Sequence, residues 1–203
     1  MRRYNYSMPK LEQIDAPNAT LLLDQAFISE QESLTLLNTL IHDVKWRQDQ
    51  VHIFGKHHYI PRLQCFQGEP ELQYRYSNLC LTAEPWHPLV KQLKEQIEQA
   101  YQATFNVVLI NYYRDGQDKM GWHSDDETEL GNNPTIASIS LGAQRRFAMR
   151  HKKDKQRKLT FDLANGSLLV MSGETQHFWQ HSVPATQRIH TPRINLTFRY
   201  IHT

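Results

Sequence analysis

Apolar residues recur with two different periods along this chain, and the change of period divides it. Leu34, Leu37 and Ile41, together with Leu36 and Leu40, follow helical spacing. Ser29 stands three residues ahead of Glu32 in a capping-box pattern, so a helix is predicted from there to about Asp43. A second helix is predicted from Pro85, where Leu89, Val90, Leu93, Ile97, Ala100 and Tyr101 form one apolar stripe. Residues 1–18 show little periodicity and predict a loosely ordered lead-in, followed by a short strand over 20–24. Between the helices, 46–54 and 57–66 predict a hairpin about a Gly55-Lys56 turn, and 72–82 predicts another strand.

After Thr104 the period becomes two. Strands are predicted over 105–114, 134–141, 146–150, 159–163, 166–172, 177–183 and 192–200, the first closed by the turn dipeptide Asp115-Gly116. In 134–141, Ala137, Ile139 and Leu141 fall on one face, and Ile136, Ser138 and Ser140 on the other. Short strands at this spacing suggest a sandwich or jelly roll. The expected fold is mainly β with helices (α+β). Its core is a double-stranded β-helix over 105–201, with the two earlier helices packed on it.

At 203 residues the chain suits one domain with a proper core, and no repeat or low-complexity linker divides it. No apolar run approaches a bilayer span, so no membrane association is expected. The basic start is not followed by the apolar stretch of a secretory signal. Cys65 and Cys80 form neither a CxxC nor a zinc pattern, so a reducing, cytoplasmic compartment without a disulfide is expected. The formal net charge is only +2, but it is unevenly spread. Arg145, Arg146, Arg150, Lys152, Lys153, Lys155, Arg157 and Lys158 face Asp154 alone within 145–158. Such a patch is either a footprint for phosphate or a solvated hairpin.

The candidate chemistry lies among the strands. In the last one, Ile194, Leu196, Phe198 and Tyr200 share a face, and Arg193, Asn195, Thr197 and Arg199 share the other. The first face reads as core. The second would bury two arginines, and buried Arg needs an anionic partner. The two lie roughly 20 Å apart along a strand, a gap suited to a short dicarboxylate, alone or with a metal-ligating carboxylate. An exposed edge strand is the alternative, against which its hydrophobicity argues. Upstream, in Trp122-His123-Ser124-Asp125-Asp126, an imidazole and a carboxylate stand two residues apart and share a face if the segment is extended. A third ligand from elsewhere would complete a 2-His-1-carboxylate triad, the donor set of non-haem Fe(II) oxygenases. His177 and His181 are four residues apart, but no Glu follows His177, so a zinc-protease site is discounted.

Five motifs in order carry a resemblance: Asn111-Tyr112-Tyr113, Gly121 to Glu127, Ser138 to Gly142, His181-Ser182, and Arg193-Ile-Asn195-Leu-Thr197-Phe-Arg199. Together they resemble the AlkB family of Fe(II)- and 2-oxoglutarate-dependent nucleic-acid demethylases, over about residues 50–201, and most the homologues that repair double-stranded DNA. The resemblance implies His123, Asp125 and His181 as iron ligands. It implies Arg193 on the distal carboxylate of 2-oxoglutarate, Arg199 near its chelating end, and Asn111, Tyr113, Asn195 and Thr197 around it. Val51 to Lys56 resembles the family's DNA-probing hairpin, with Phe54 as the wedge, flanked by Gly55 and Lys56. Phe54 as ordinary core is the alternative. Tyr74 and Tyr76 match pocket aromatics, and Asp126 matches an acidic residue on the base's exocyclic amine. A solvated loop carboxylate is the other reading of Asp126.

The implied activity is oxidative demethylation of bases such as 1-methyladenine and 3-methylcytosine in DNA, with O₂ as further co-substrate and formaldehyde and succinate as products. The implied partner is alkylated DNA, with no obligatory protein partner and a cytoplasmic, nucleoid or nuclear location. RNA demethylation, protein hydroxylation and non-catalytic nucleic-acid binding are the alternatives. Trp122, Tyr76 and the tip His57-His58-Tyr59 depart from the family pattern and bear on substrate range.

Overall fold

Strands that alternate cleanly can bury two different faces, and that property sets the layers here. The computed structural model describes residues 11–53, 55–70, 72–76 and 79–202. In chain order its elements begin with β1 (Glu12–Ile14), β2 (Thr20–Asp24), α1 (Glu30–Asp43), β3 (Gln50–Ile53), β4 (Lys56–Tyr59) and β5 (Leu63–Gly68). Next come β6 (Gln73–Tyr76), β7 (Leu79–Thr82), α2 (Pro88–Tyr101), β8 (Val107–Tyr113), β9 (Met120–His123) and β10 (Ile136–Gly142). The chain closes with β11 (Arg145–His151), β12 (Lys158–Leu163), β13 (Leu168–Ser172), α3 (Thr175–Phe178), β14 (Trp179–Val183) and β15 (Arg193–Arg199).

Two antiparallel sheets form the body. The major sheet has the order β1-β2-β13-β10-β15-β8-β5, and the minor sheet β12-β11-β14-β9. Leu21, Leu109, Tyr113, Ile136, Leu169 and Met171 of the major sheet face Phe147, Met149, Leu163, Trp179 and Val183 of the minor sheet in one core. The opposite face of the major sheet presents Val108, Ile110, Ala137, Ile139, Leu141, Ile194, Leu196 and Phe198 to Leu36, Leu37 and Leu40 of α1 and Val90, Leu93 and Ile97 of α2. Ile194, Leu196 and Phe198 are fully buried there, each contributing roughly 1.5–3 kcal/mol. This is a jelly roll with helices on one face, and β15 is central in its sheet, as its hydrophobicity implied.

Helix α1 starts as its cap dictates: Ser29 Oγ accepts from Glu32 N at 3.4 Å and donates to Glu32 Oε2 at 2.6 Å. Helix α2 starts at Pro88 rather than Pro85, with His87 as N-cap accepting from Leu89 N at 3.3 Å. Pro suits the first helical position because it has no N–H to leave unpaired.

Other departures have similar local causes. The lead-in contains β1, which pairs with β2 on the edge of the major sheet. The predicted long hairpin is shorter, β3 with β4, because Pro61 interrupts its second arm. Beyond that proline, β5 joins the major sheet beside β8. The jelly-roll core is therefore not confined to 105–201, since β1, β2 and β5 extend it. The 72–82 stretch is a hairpin of β6 with β7. Residues 175–178 form a short helix, so only 179–183 of the predicted 177–183 strand is extended. Tyr200 lies beyond β15 and is exposed instead of continuing its core face.

Candidate metal centre

The cleft between the sheets is lined by strands whose register sets polar residues side by side. Across the major sheet, Gln64 pairs with Asn111, Asn111 with Asn195, and Asn195 with Ser140. One rung further along, Tyr113 pairs with Arg193, and Arg193 with Gly142. A one-residue slip would turn these side chains into the helix-facing core, so burial of both faces fixes the register.

The minor sheet supplies two imidazoles. β9 and β14 are antiparallel, and His123 stands directly opposite His181. Their rings meet edge-on with centroids 4.2 Å apart, and His181 also stacks on Phe147 at 5.2 Å. After β9 the chain turns inward. Ser124 Oγ donates to Trp179 O at 2.9 Å, and Asp125 N donates to Gln176 Oε1 at 3.0 Å. These bonds aim the Asp125 carboxylate, fully buried, at both histidines. His123 Nε2 lies 4.0 Å from Asp125 Oδ1, and His181 Nε2 lies 3.9 Å from Asp125 Oδ2. One ligand atom from each of the three residues lies within 4.8 Å of the others, a group able to hold a metal ion.

The protonation states suit that role. Burial, opposed by Asp125, pushes His123 below its ordinary range. Burial and the neighbouring His123 push His181 down to about 3. Both rings are therefore neutral near pH 7. His123 Nδ1 lies 2.9 Å from Gly121 O, which places the proton on Nδ1 and makes Nε2 the nitrogen able to ligate. Burial would raise the Asp125 pKa, but Arg199, His181 and His123 outweigh it and hold it at about 2. Arg199 Nη2 donates to Asp125 Oδ1 at 2.8 Å, while buried Oδ2 has no hydrogen-bond partner among the described residues. A buried carboxylate oxygen facing two neutral imidazoles is unfavourable unless a cation completes it. The donors thus fit a 2-His-1-carboxylate metal site.

Arg193 presents a second incomplete interaction. It is 1% exposed, its Nη2 donates to Ser140 Oγ at 2.9 Å, and its guanidinium lies 5.1 Å from the Tyr113 ring centroid. Its Nε and Nη1 have no hydrogen-bond acceptor among the described residues. Burial pushes its pKa down to about 10. A cation in this position is built to receive an anion. Asn195 Nδ2 donates to Ser138 Oγ and Ile139 O, both at 2.8 Å, and Asn195 Oδ1 accepts from Thr197 Oγ1 at 3.2 Å. A tight cavity lined in part by Asn111, Tyr113, Asn195, Thr197 and Arg199 opens beside the three ligand residues.

The remaining residues singled out in the sequence lie further out. Asp126 is half-exposed and accepts from Lys152 Nζ at 2.8 Å. Gly55 and Lys56 are in the exposed β3–β4 hairpin. Phe54 lies outside the described residues, as do the side chains of Tyr74 and Tyr76, whose backbone is in β6. His177 sits on α3 with Nε2 3.0 Å from Asn132 Oδ1, away from the metal group. The basic stretch divides: Arg145 is buried, Arg150 is only partly exposed, and Lys152, Lys153, Lys155, Arg157 and Lys158 are exposed. Arg157 is paired with Asp154.

Three residues of the site were given no role by sequence reasoning. Arg62, just before β5, is buried and donates from Nε to Asn111 Oδ1 at 2.7 Å. Ser138 and Ser140, read as the polar face of a strand and as part of a family motif, hold Asn195 and Arg193. The available signal was that alternation inside an otherwise apolar run.

The comparisons with known proteins agree with this geometry. The family described as the 2OG-Fe(II) oxygenase superfamily matches residues 20–199. The chain is 43% identical over 159 residues to a human protein named DNA oxidative demethylase ALKBH2, covering 75% of this chain and 61% of that one. It is 40% identical over 185 residues to human alpha-ketoglutarate-dependent dioxygenase alkB homolog 3, covering 87% and 64%. A protein of Arabidopsis thaliana, also named DNA oxidative demethylase ALKBH2, is 33% identical, covering 95% of this chain and 70% of that one. The chain spans 57–66% of the length of the mammalian ALKBH2 relatives. The solved structure of OsALKBH1 shares the fold, with a TM-score of 0.59 at 18% identity over 94% of this chain and 99% of that one. By its matched length, its motifs and its triad, the chain belongs to the 2OG-Fe(II) oxygenase superfamily and, within it, to the AlkB family.

Proposed function

We propose that this chain is a 2-oxoglutarate-dependent dioxygenase that removes N-methyl groups from alkylated bases in DNA, such as 1-methyladenine and 3-methylcytosine. The observation that carries the reading is the pairing, across one cleft, of the His123-Asp125-His181 group with a buried, incompletely satisfied Arg193. Relatives at 40–44% identity named as DNA demethylases and dioxygenases point the same way.

In this reading His123 Nε2, Asp125 Oδ2 and His181 Nε2 hold Fe(II). Fe(II), with 2-oxoglutarate and O₂, supplies the oxidising power that converts an N-methyl group to N-hydroxymethyl, while 2-oxoglutarate becomes succinate and CO₂. Arg193 takes the distal carboxylate through Nε and Nη1, the donors without an acceptor among the described residues. Asn111, Tyr113, Asn195 and Thr197 line the co-substrate's path, with Asn111 oriented by Arg62 and Asn195 by Ser138. Arg199 neutralises Asp125 and keeps it ionised, so the ligand needs no deprotonation step. Burial of Asp125 and His181 limits the access of water to the reacting atoms. The N-hydroxymethyl base then loses formaldehyde, with the hydroxyl proton passing to the ring nitrogen.

Substrate recognition falls to the exposed elements. Asp126, bonded to Lys152, accepts from an exocyclic amine in this reading. The β3–β4 hairpin, carrying Phe54 with Gly55 and Lys56, probes the stack, and Tyr74 or Tyr76 stacks the extruded base. Exposed Lys153, Lys155 and Lys158 contact phosphates, which supply most nucleic-acid affinity.

The test is release of formaldehyde and succinate with Fe(II), 2-oxoglutarate and O₂, on matched single- and double-stranded DNA and RNA carrying 3-methylcytosine. Release on DNA, lost in His181→Ala, is expected. Release on RNA alone would move the substrate class. Succinate with no formaldehyde on any oligonucleotide would turn the search to protein side chains. Neither product from iron-loaded protein would favour a non-catalytic binder.

A further inference from the structure

Arg145 opens β11 at its first position facing the cleft, and the next two such positions, Phe147 and Met149, are ordinary apolar core. A guanidinium 1% exposed must find acceptors, and this one finds backbone carbonyls. Nη1 donates to Asp115 O at 3.0 Å. Nη2 reaches Asp118 O at 2.8 Å, Pro184 O at 2.9 Å and Gly116 O at 3.4 Å. The Asp118 carboxylate is engaged instead by Arg114, through backbone N, Nε and Nη2.

Those carbonyls belong to two segments. Residues 115–118 follow Tyr113 at the end of β8. Pro184 follows β14 and begins the connection that ends at Arg193. The two segments are also bound to each other, Gly116 N donating to Ile189 O at 2.8 Å and Thr186 N to Gly116 O at 2.7 Å. They approach so closely that a Cβ on Gly116 would lie 2.3 Å from Thr186 O. Arg145 thereby ties the minor sheet to both segments that present the Tyr113–Arg193 pair. Its guanidinium carbon lies 5.6 Å from the Tyr113 ring centroid, and that of Arg193 lies 5.1 Å away. Two buried cations share one ring, and Arg145 disfavours the charge on Arg193. That repulsion is relieved by an anion.

We propose that Arg145 is a positioning residue for the co-substrate: it fixes Tyr113 and Arg193 as one anion-binding end, and its charge adds to the pull on the distal carboxylate. The proposal rests on the reading of Arg193 as the carboxylate site. It also removes Arg145 from any phosphate-binding surface.

Arg145→Gln and Arg145→Lys test it. Equilibrium binding of 2-oxoglutarate is measured with Mn(II) in place of Fe(II), alongside KM, kcat and affinity for methylated duplex DNA. In the Gln variant the dissociation constant and KM for 2-oxoglutarate should each rise about tenfold, with kcat at saturation within about twofold. DNA affinity and its salt slope should not change, because Arg145 is buried. Lys keeps the charge but cannot reach four carbonyls, so it should fall between Gln and wild type. A folded Gln variant that binds 2-oxoglutarate as tightly as wild type would overturn the proposal, and so would one that loses DNA affinity with a flatter salt slope. If the Gln variant does not fold, the Lys variant decides: a rise of a few-fold in the 2-oxoglutarate constant supports the proposal, and an unchanged constant overturns it. Wild-type protein that binds no 2-oxoglutarate with Mn(II) would sink the functional reading itself, which is a separate result.

Discussion

The metal cleft and the β3–β4 hairpin are both built from antiparallel strands, yet they are held in opposite ways. In the cleft, β15 is paired on both sides, and Arg193, Asn195, Thr197 and Arg199 are all buried. Their neighbours are fixed by register and by bonds such as Arg199 to Asp125. The hairpin pairs only with itself among the described strands, and all of β4 is exposed. It is anchored at its base, where Gln48 Nε2 donates to Ile60 O at 2.9 Å and Gln64 Nε2 to Asp49 Oδ2 at 2.6 Å. Chemistry needs atoms fixed in a dry place, and recognition needs reach. The two regions should therefore fail in different observables when altered.

Removing a ligand should give the largest effect. Asp125→Ala or His181→Ala is expected to lower turnover roughly 10³-fold or more, while oligonucleotide affinity stays within about twofold. A parallel loss of DNA binding would mean that the cleft and the recognition surface are not separable. Arg193→Leu comes next. It removes two charge-assisted hydrogen bonds to the carboxylate, so 2-oxoglutarate affinity should fall about 100-fold. The same change deletes a buried cation two of whose donors have no acceptor among the described residues. Its melting temperature without 2-oxoglutarate should therefore hold or rise. A marked drop would show that Arg193 is structural glue instead of an anion receiver.

Acid should act on the cleft before the hairpin. His181 is held neutral down to about 3 by burial and by His123, whereas an unfolded histidine titrates near its ordinary 6.5. Keeping it neutral is fully compatible with folding above that ordinary value, and stability is lost as pH falls from there toward 3. Asp125, held to about 2 chiefly by Arg199 against its burial, contributes stability above its ordinary 3.8, lost only as pH falls toward 2. Metal-free protein should thus lose thermal stability between about pH 7 and about pH 4.5, with a flatter profile in His181→Leu. Equal slopes for the two would remove His181 as the cause.

The features legible in the sequence divide in the same way. The alternation in 193–199 implied both faces of β15, and the spacing in 123–125 implied paired ligands, because each is local and period-bound. The membership of β2 and β5 in the major sheet was not legible, since pairing partners far apart in sequence leave no local signal. The burial of Arg145 and Arg62 was not legible for a related reason. Charge read along the chain says where cations cluster, but only the folded neighbours say which are buried against carbonyls or amides. The α3 turn was hidden because Thr175 to Phe178 is too short to show a period.

On the exposed side the effects should be smaller and salt-dependent. Lys153→Glu with Lys155→Glu should weaken DNA binding several-fold and reduce the salt slope by about 2, leaving the 2-oxoglutarate constant unchanged. An unchanged slope would make this hairpin a solvated loop. The slightest change tests the β3–β4 turn. Gly55 has φ +76, the left-handed region that glycine adopts without penalty, and a Cβ there would meet nothing within 4 Å. Gly55→Val therefore strains only the backbone, by about 1 kcal/mol. That strain falls on a turn whose hairpin pairs with no other described strand, so the global melting temperature should move by no more than a few degrees. The expected loss is a few-fold in processing of methylated duplex, with a lesser loss on single strands, whose base needs no extrusion, and none in 2-oxoglutarate affinity. Equal losses on single and double strands would mean that the hairpin serves general nucleic-acid contact. A loss of 2-oxoglutarate affinity would show that Arg62, buried at the hairpin's foot and bonded to Asn111, transmits the turn's geometry into the cleft.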